Sequence, residues 1–185
     1  MSLTVVVLTN LFREFMKKLL LILSLGLALS LTAGAADVTL TDVHLCCGSC
    51  VKGAEKAVAE VAGLTAKADQ DASTVILTAA DTATLQKGVD ALTTAGFFGK
   101  SSDPSIKVNA ETGAKNQKVK TLTISGLHLC CGKCVKAANQ ILSSVPGVTG
   151  NTAAKGVKTF EVTGDFNDKE VFDALQKGGL TGVEK

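Results

Sequence analysis

The chain has no tryptophan, no tyrosine and a single arginine, Arg13, and its seven phenylalanines are its only aromatic residues. Without arginine forks or tyrosine and tryptophan rings it lacks the basic stripe and most of the stacking platforms from which nucleic-acid surfaces are built. An excess of one charge is missing too. From Asp37 onward, 16 lysines face 16 acidic residues, and the overall excess of two positive charges belongs to the amino terminus. The lysines between Ala54 and Lys100 read as solvated helix faces. Nucleic acid is therefore excluded as a partner. Paired carboxylates in a recognisable frame, a Ser-His-Asp order and a phosphate-cradling glycine loop are all lacking, so no enzymatic turnover is expected. Cysteine is scarce in a telling way: all six lie in two short motifs, and none remains to staple the fold as a disulfide framework.

A long apolar run is also missing. After Lys17-Lys18, the charge-free stretch Leu19 to Ala33 is shorter than the roughly 20 residues needed to span a bilayer. Basic residues, an apolar segment and then Thr32-Ala33-Gly34-Ala35-Ala36 follow the layout of a secretory signal peptide, with Ala33-Gly34-Ala35 as the cleavage site. Residues 1–35 are assigned to that leader, and Met16 is a second candidate start. The mature chain is expected to be periplasmic or secreted, with no membrane insertion.

What is present in abundance is internal similarity. His44-Leu45-Cys46-Cys47-Gly48-Ser49-Cys50-Val51-Lys52 lies over His128-Leu129-Cys130-Cys131-Gly132-Lys133-Cys134-Val135-Lys136 with one mismatch. Val61-Ala62-Gly63-Leu64 then falls on Val145-Pro146-Gly147-Val148, and Asp90-Ala91-Leu92 on Asp173-Ala174-Leu175 after one deletion. Whole domains are repeated. Residues 36–108 form the first, 109–118 a linker without apolar periodicity, and 119–185 the second. A flexible linker would let two sites move independently.

Period-2 alternation in Val38 to Val43 predicts a strand, and the apolar positions Val51, Ala54, Ala57, Val58 and Val61 predict a helix over 49–61. Strands over 64–70 and 73–78, a helix over 82–94 and a weak strand over 106–108 complete the first copy. The second repeats it: strand 121–125, helix 133–145, strands near Val148 and over 159–163, helix 167–177, and a short strand to Val183. The order βαββαβ, twice, predicts two tandem ferredoxin-like α+β sandwiches.

Each motif falls where a strand passes into a helix. Cys47 and Cys50, and likewise Cys131 and Cys134, are spaced so that both sulfurs face one point, and the helix amino terminus favours their thiolates. Soft sulfur ligands select Cu(I), Hg(II), Zn(II) or Cd(II) over Mg or Ca. Cys46 and Cys130 are candidate third ligands. His44 and His128 are further candidates, but the simpler reading makes them surface histidines at a strand end, since imidazole suits harder ions than Cu(I). Phe97 and Phe98 read as core.

A strand, a CxxC loop and a helix opening C-V-x-x-x-E-K-A resemble the heavy-metal-associated domain found in copper chaperones, metal-pumping ATPase tails and the periplasmic mercury-binding protein. The likeness rests on Cys47, Cys50 and Val51-Lys52-Gly53-Ala54-Glu55-Lys56-Ala57, and on Cys131, Cys134 and Val145-Pro146-Gly147-Val148. It implies the ferredoxin-like fold, metal thiolates at those four cysteines and one soft ion per domain, Cu(I) foremost. It also implies a membrane metal transporter or another metal-binding domain as partner. Phe97 matches an aromatic residue near the family's metal loop, where the second copy has Leu180. Leu45 and Leu129 replace the family's methionine, and His44, His128, Cys46 and Cys130 also depart from its pattern. The expected function is an exported carrier or sequestering protein for soft metal. The alternative is a periplasmic thiol-disulfide redox protein using the same CxxC pairs.

Overall fold

The computed structural model describes residues 35–185, and the expected leader lies outside the described residues. Two four-stranded antiparallel sheets follow one another along the chain, each carrying two helices. The first contains β1 (Ala36–Thr41), α1 (Gly48–Val58), β2 (Leu64–Asp69), β3 (Thr74–Ala79), α2 (Thr82–Thr94) and β4 (Lys100–Ser101). The second contains β5 (Lys118–Ser125), α3 (Gly132–Ser143), β6 (Val148–Asn151), β7 (Thr159–Asn167), α4 (Asp168–Lys177) and β8 (Val183–Glu184). Strand orders β2-β3-β1-β4 and β6-β7-β5-β8 make both ferredoxin-like sandwiches. Among the described residues no helix is long and apolar enough to cross a membrane.

Alternation does the work in the strands. Val38 and Leu40 of β1 and Val75, Leu77 and Ala79 of β3 point inward, where they meet Ala54 and Val58 of α1 and Leu85, Val89 and Leu92 of α2. The second core is built alike, from Leu122, Ile124, Phe160 and Val162 under Ala138, Leu142, Val171 and Leu175. Burying a side chain of this size contributes roughly 1.5–3 kcal/mol. The helix over 82–94 lies where the periodicity puts it, started by Asp81, whose carboxylate accepts the Thr84 N–H at 2.8 Å. One expected strand shifts. The fourth strand of the first sheet is Lys100–Ser101, paired with Leu40 and Thr41, and not residues 106–108. That later segment lies across the surface instead, with Ile106 buried and the Lys107 main chain held on both sides by the Gln86 amide.

The segment read as a flexible linker is tethered. Its N–H groups at Lys115 and Gln117 each reach an oxygen of Asp168 at 2.8 Å, and Thr112 accepts the Glu184 N–H. Asp168 has no solvent-accessible surface. Burial would raise its carboxyl, but the N–H donors of Lys115, Gln117, Lys169 and Asn116 outweigh that and hold it below the usual range. A depressed carboxyl stabilises the fold above its unfolded pKa of about 3.9, and that stability is lost as pH falls through the lower folded value. Asp168→Ala should lower stability by roughly 1–3 kcal/mol and flatten the acid limb below about pH 4, read by thermal melts at several pH values. An unchanged acid limb would remove Asp168 as the anchor.

Candidate metal centre

β1 ends at Thr41 and α1 begins at Gly48, so His44, Leu45, Cys46 and Cys47 form the connecting loop. Leu45 turns into the core and is buried, and Leu129 does the same in the second copy. Their neighbours Cys46 and Cys130 therefore turn the other way. Cys47 and Cys131 occupy the cap positions of α1 and α3 with extended backbone, and Cys50 and Cys134, three residues on, lie in the first turns. Neither helix carries an acidic residue in its first turn, which leaves the positive end of each dipole facing the sulfurs.

The two loops do not stand apart. They meet, and all six sulfurs converge on one locus. Cys46 lies 3.3 Å from Cys134 and Cys50 lies 3.4 Å from Cys130, a reciprocal pair between the copies. Cys50 and Cys134 approach to 3.5 Å and Cys47 and Cys131 to 3.6 Å. Within the copies, Cys50 is 3.7 Å from both Cys46 and Cys47, and Cys134 is 3.6 Å from both Cys130 and Cys131. All six thiols are free. The linker expectation of independently moving sites is overturned, because the halves dock through their cysteine loops.

A reciprocal contact holds them there. The N–H of Phe98 donates to the Gly179 carbonyl and the N–H of Thr181 to the Gly96 carbonyl, both at 3.1 Å, forming an isolated antiparallel bridge at Phe97 and Leu180. These residues are equivalent in the repeat, so the chain makes with itself the self-complementary contact of a two-fold dimer. Gly96 and Gly179 have positive φ, and a Cβ on either would fall 2.4 Å from a carbonyl oxygen of the other copy. Only glycine permits that approach. The sequence signal was available in the glycines of Ala95-Gly96-Phe97 and Gly178-Gly179-Leu180.

The histidines are half-buried. Both lie beyond the strand ends, in the loops, and the opposite copy covers them. Each has a buried Nε2 without a hydrogen-bond partner. The His128 ring lies 4.3 Å from the Phe97 ring, over Gly53, where a Cβ would meet its Cε1 at 2.8 Å. His44 falls within ligating distance of Cys46 and Cys134, the ligand atoms all lying within 4.8 Å of one another. Phe97 is core, as expected, but it is a core residue shared between the copies.

Crowded thiols cannot all ionise. Two thiolates 3.5 Å apart repel by about 5 kcal/mol at an effective dielectric constant of about 20. The Cys50–Cys134 pair divides accordingly: contact with Cys134 and burial push Cys50 up, while donation from Cys50 and other neighbours lets Cys134 hold the negative charge. Burial pushes Cys46 up and raises Cys130 to about 12. Cys47 is lowered to about 6, first by the Cys50 main-chain N–H, although its sulfur lacks a full capping hydrogen bond. Burial also lowers His128, favouring the neutral imidazole that ligates metal.

No family model matches the chain, and no curated protein matches it. Among solved structures, a copper binding domain from HMA7, a P-type ATPase, is 14% identical, covering 36% of this chain and 95% of that one, with a TM-score of 0.34. The N-terminal soluble domains of Bacillus subtilis CopA are 16% identical, covering 82% and 95%, with a TM-score of 0.30. The first two RRM domains of the yeast poly(U) binding protein Pub1 are 10% identical, covering 81% and 98%, with a TM-score of 0.26. Likeness at this level carries no argument about function.

Thiolate, not thiol, reacts with alkylating agents. Iodoacetamide at pH 7 should modify Cys47, which is both half-exposed and ionised, ahead of Cys50, which is buried and held as a thiol, and Cys134, whose charge is shielded by burial, and the rate at Cys47 should fall as pH drops through about 6. Peptide mass spectrometry of a time course reads the order. Early labelling of Cys50 or Cys134 would contradict the closed arrangement of the loops.

Proposed function

We propose that this chain is an exported protein of the heavy-metal-associated family that carries or sequesters a soft metal ion, Cu(I) foremost, without catalytic turnover. The observation that carries the reading is the convergence of six free thiols at two helix amino termini. Such a site is unfavourable for its own charge and has no acid in either first helical turn to attract a hard ion. A soft cation relieves the repulsion and forms covalent metal–sulfur bonds. The CxxC-to-helix motif in a ferredoxin-like frame supports the family assignment, and the basic, apolar and small order of residues 17–36 supports export to the periplasm or beyond. Cys46, Cys47, Cys130 and Cys131 are only half-buried, which suits stepwise sulfur exchange with another metal-binding domain or a membrane transporter.

Binding should displace protons, since Cys46, Cys50 and Cys130 are held as thiols near neutral pH, and apparent affinity should rise with pH. Replacing both Cys50 and Cys134 by serine removes the two most buried sulfurs, at the junction of the copies. Because outer-shell substitutions alone cost about 10–100-fold in metal affinity, loss of two ligands should weaken Cu(I) retention by more than about 100-fold. Competition with a chromophoric Cu(I) chelator under anaerobic conditions measures it. Retention at the parent affinity would sink the metal reading, and insulin reduction above background by the parent would favour the redox alternative.

A further inference from the structure

Resting on the soft-metal reading, we propose that the two copies share one polynuclear site in which six bridging thiolates hold four monovalent soft cations. The sulfur positions divide into trios. Three sets with ligand atoms within 4.8 Å of one another are Cys46, Cys47 and Cys131; Cys47, Cys50 and Cys130; and Cys130, Cys131 and Cys134. A fourth, Cys46, Cys50 and Cys134, has sides of 3.3, 3.5 and 3.7 Å. Each of the six cysteines belongs to two of these four trios, and any two trios share one sulfur. That is the pattern of alternate faces of an octahedron. The pairs left opposite are Cys46 with Cys130, Cys47 with Cys134, and Cys50 with Cys131. Every sulfur–sulfur approach between 3.3 and 3.8 Å is an edge of this figure.

Bonding follows from the figure. A three-coordinate ion on each chosen face draws on three sulfurs, and each thiolate then binds two ions, so four ions use every sulfur and leave none over. Sulfurs around a trigonal ion with bonds of about 2.3 Å stand about 4.0 Å apart, so loading requires a slight expansion of the observed edges. Linear coordination by the same bonds would need sulfurs about 4.6 Å apart, farther than these edges provide. Three of the four trios take two sulfurs from the first copy and one from the second, and the remaining trio, Cys130, Cys131 and Cys134, lies within the second copy. The first copy on its own supplies no trio of the set and the second supplies one, so filling all four faces requires both.

Charge chooses the ion. Six thiolates with four monovalent cations retain two negative charges, facing two helix amino termini that each present roughly half a positive charge. Four divalent ions would instead leave two positive charges beside those same termini. Loading by a monovalent cation is balanced: each Cu(I) delivered replaces thiol protons, which leave to solvent, and no electron is transferred.

The test uses the reduced full-length mature chain with anaerobic Cu(I) as probe, read by native mass spectrometry and X-ray absorption. A four-copper species with about three sulfur neighbours and copper–copper scattering is expected. Saturation at two coppers or fewer without that scattering overturns the shared cluster while leaving soft-metal binding in place. Absence of any bound copper defeats the metal reading itself. Cys46→Ser strips a ligand from two faces at once and should reduce the count from four to two, and an unchanged count overturns the proposal. Gly96→Val with Gly179→Val keeps all six thiols but drives the copies apart, and circular dichroism checks that both sandwiches persist. Loss of the four-copper species is expected there, and its retention also overturns the proposal.

Discussion

Six sulfurs are held within one another's reach by a contact that the chain makes between its own two halves. Everything particular to this protein depends on that reciprocal bridge at Phe97 and Leu180. Each sandwich carries one cysteine loop where its first strand passes into its first helix. Joining two loops face to face crowds six thiols together and buries two imidazole nitrogens without partners. Each of these is costly in isolation. Such costs are tolerated where a ligand cancels them, and thiols gathered this closely are groups that could hold a metal ion.

Small residues make the docking possible. Gly96 and Gly179 let main chain meet main chain, and Gly53 leaves room for the His128 ring where the second copy carries Ala137. The repeat is thus imperfect at the contact: Phe97 meets His128, while Leu180 stands in the equivalent place opposite. The chain breaks exact two-fold symmetry just there. Duplication within one chain permits this, because each half evolves separately, whereas two identical subunits must present the same patch.

Much of the fold could be read from the sequence because its signals are local. The period-2 pattern of Val38 to Val43, the helical faces of Leu85, Val89 and Leu92, and the spacing of the motifs each report on neighbours along the chain. The boundaries that moved depended on distant partners. Residues 106–108 look like a strand, but β1 offers its free edge to Lys100 and Ser101 first. The linker, polar and aperiodic, gave no sign that Asp168 would bind its N–H groups, since an aspartate at the start of a helix reads only as a favourable first-turn charge.

The site divides along the same line. Spacing alone set Cys47 beside Cys50 and Cys131 beside Cys134, for these are contacts within one helical turn. The third cysteines and the histidines could not be placed that way. Leu45 and Leu129 enter the cores and so turn Cys46 and Cys130 outward, toward a partner that no local pattern identifies. That partner is the other half of the chain. Read singly, CCGxC has one sulfur more than a two-coordinate site needs; read as a facing pair, the additional sulfurs close the trios that join the copies, and Cys46 reaches Cys134 more closely than any cysteine of its own loop. The extra cysteine therefore acts between domains, and its meaning lies in the tertiary arrangement that brings a second motif to meet it.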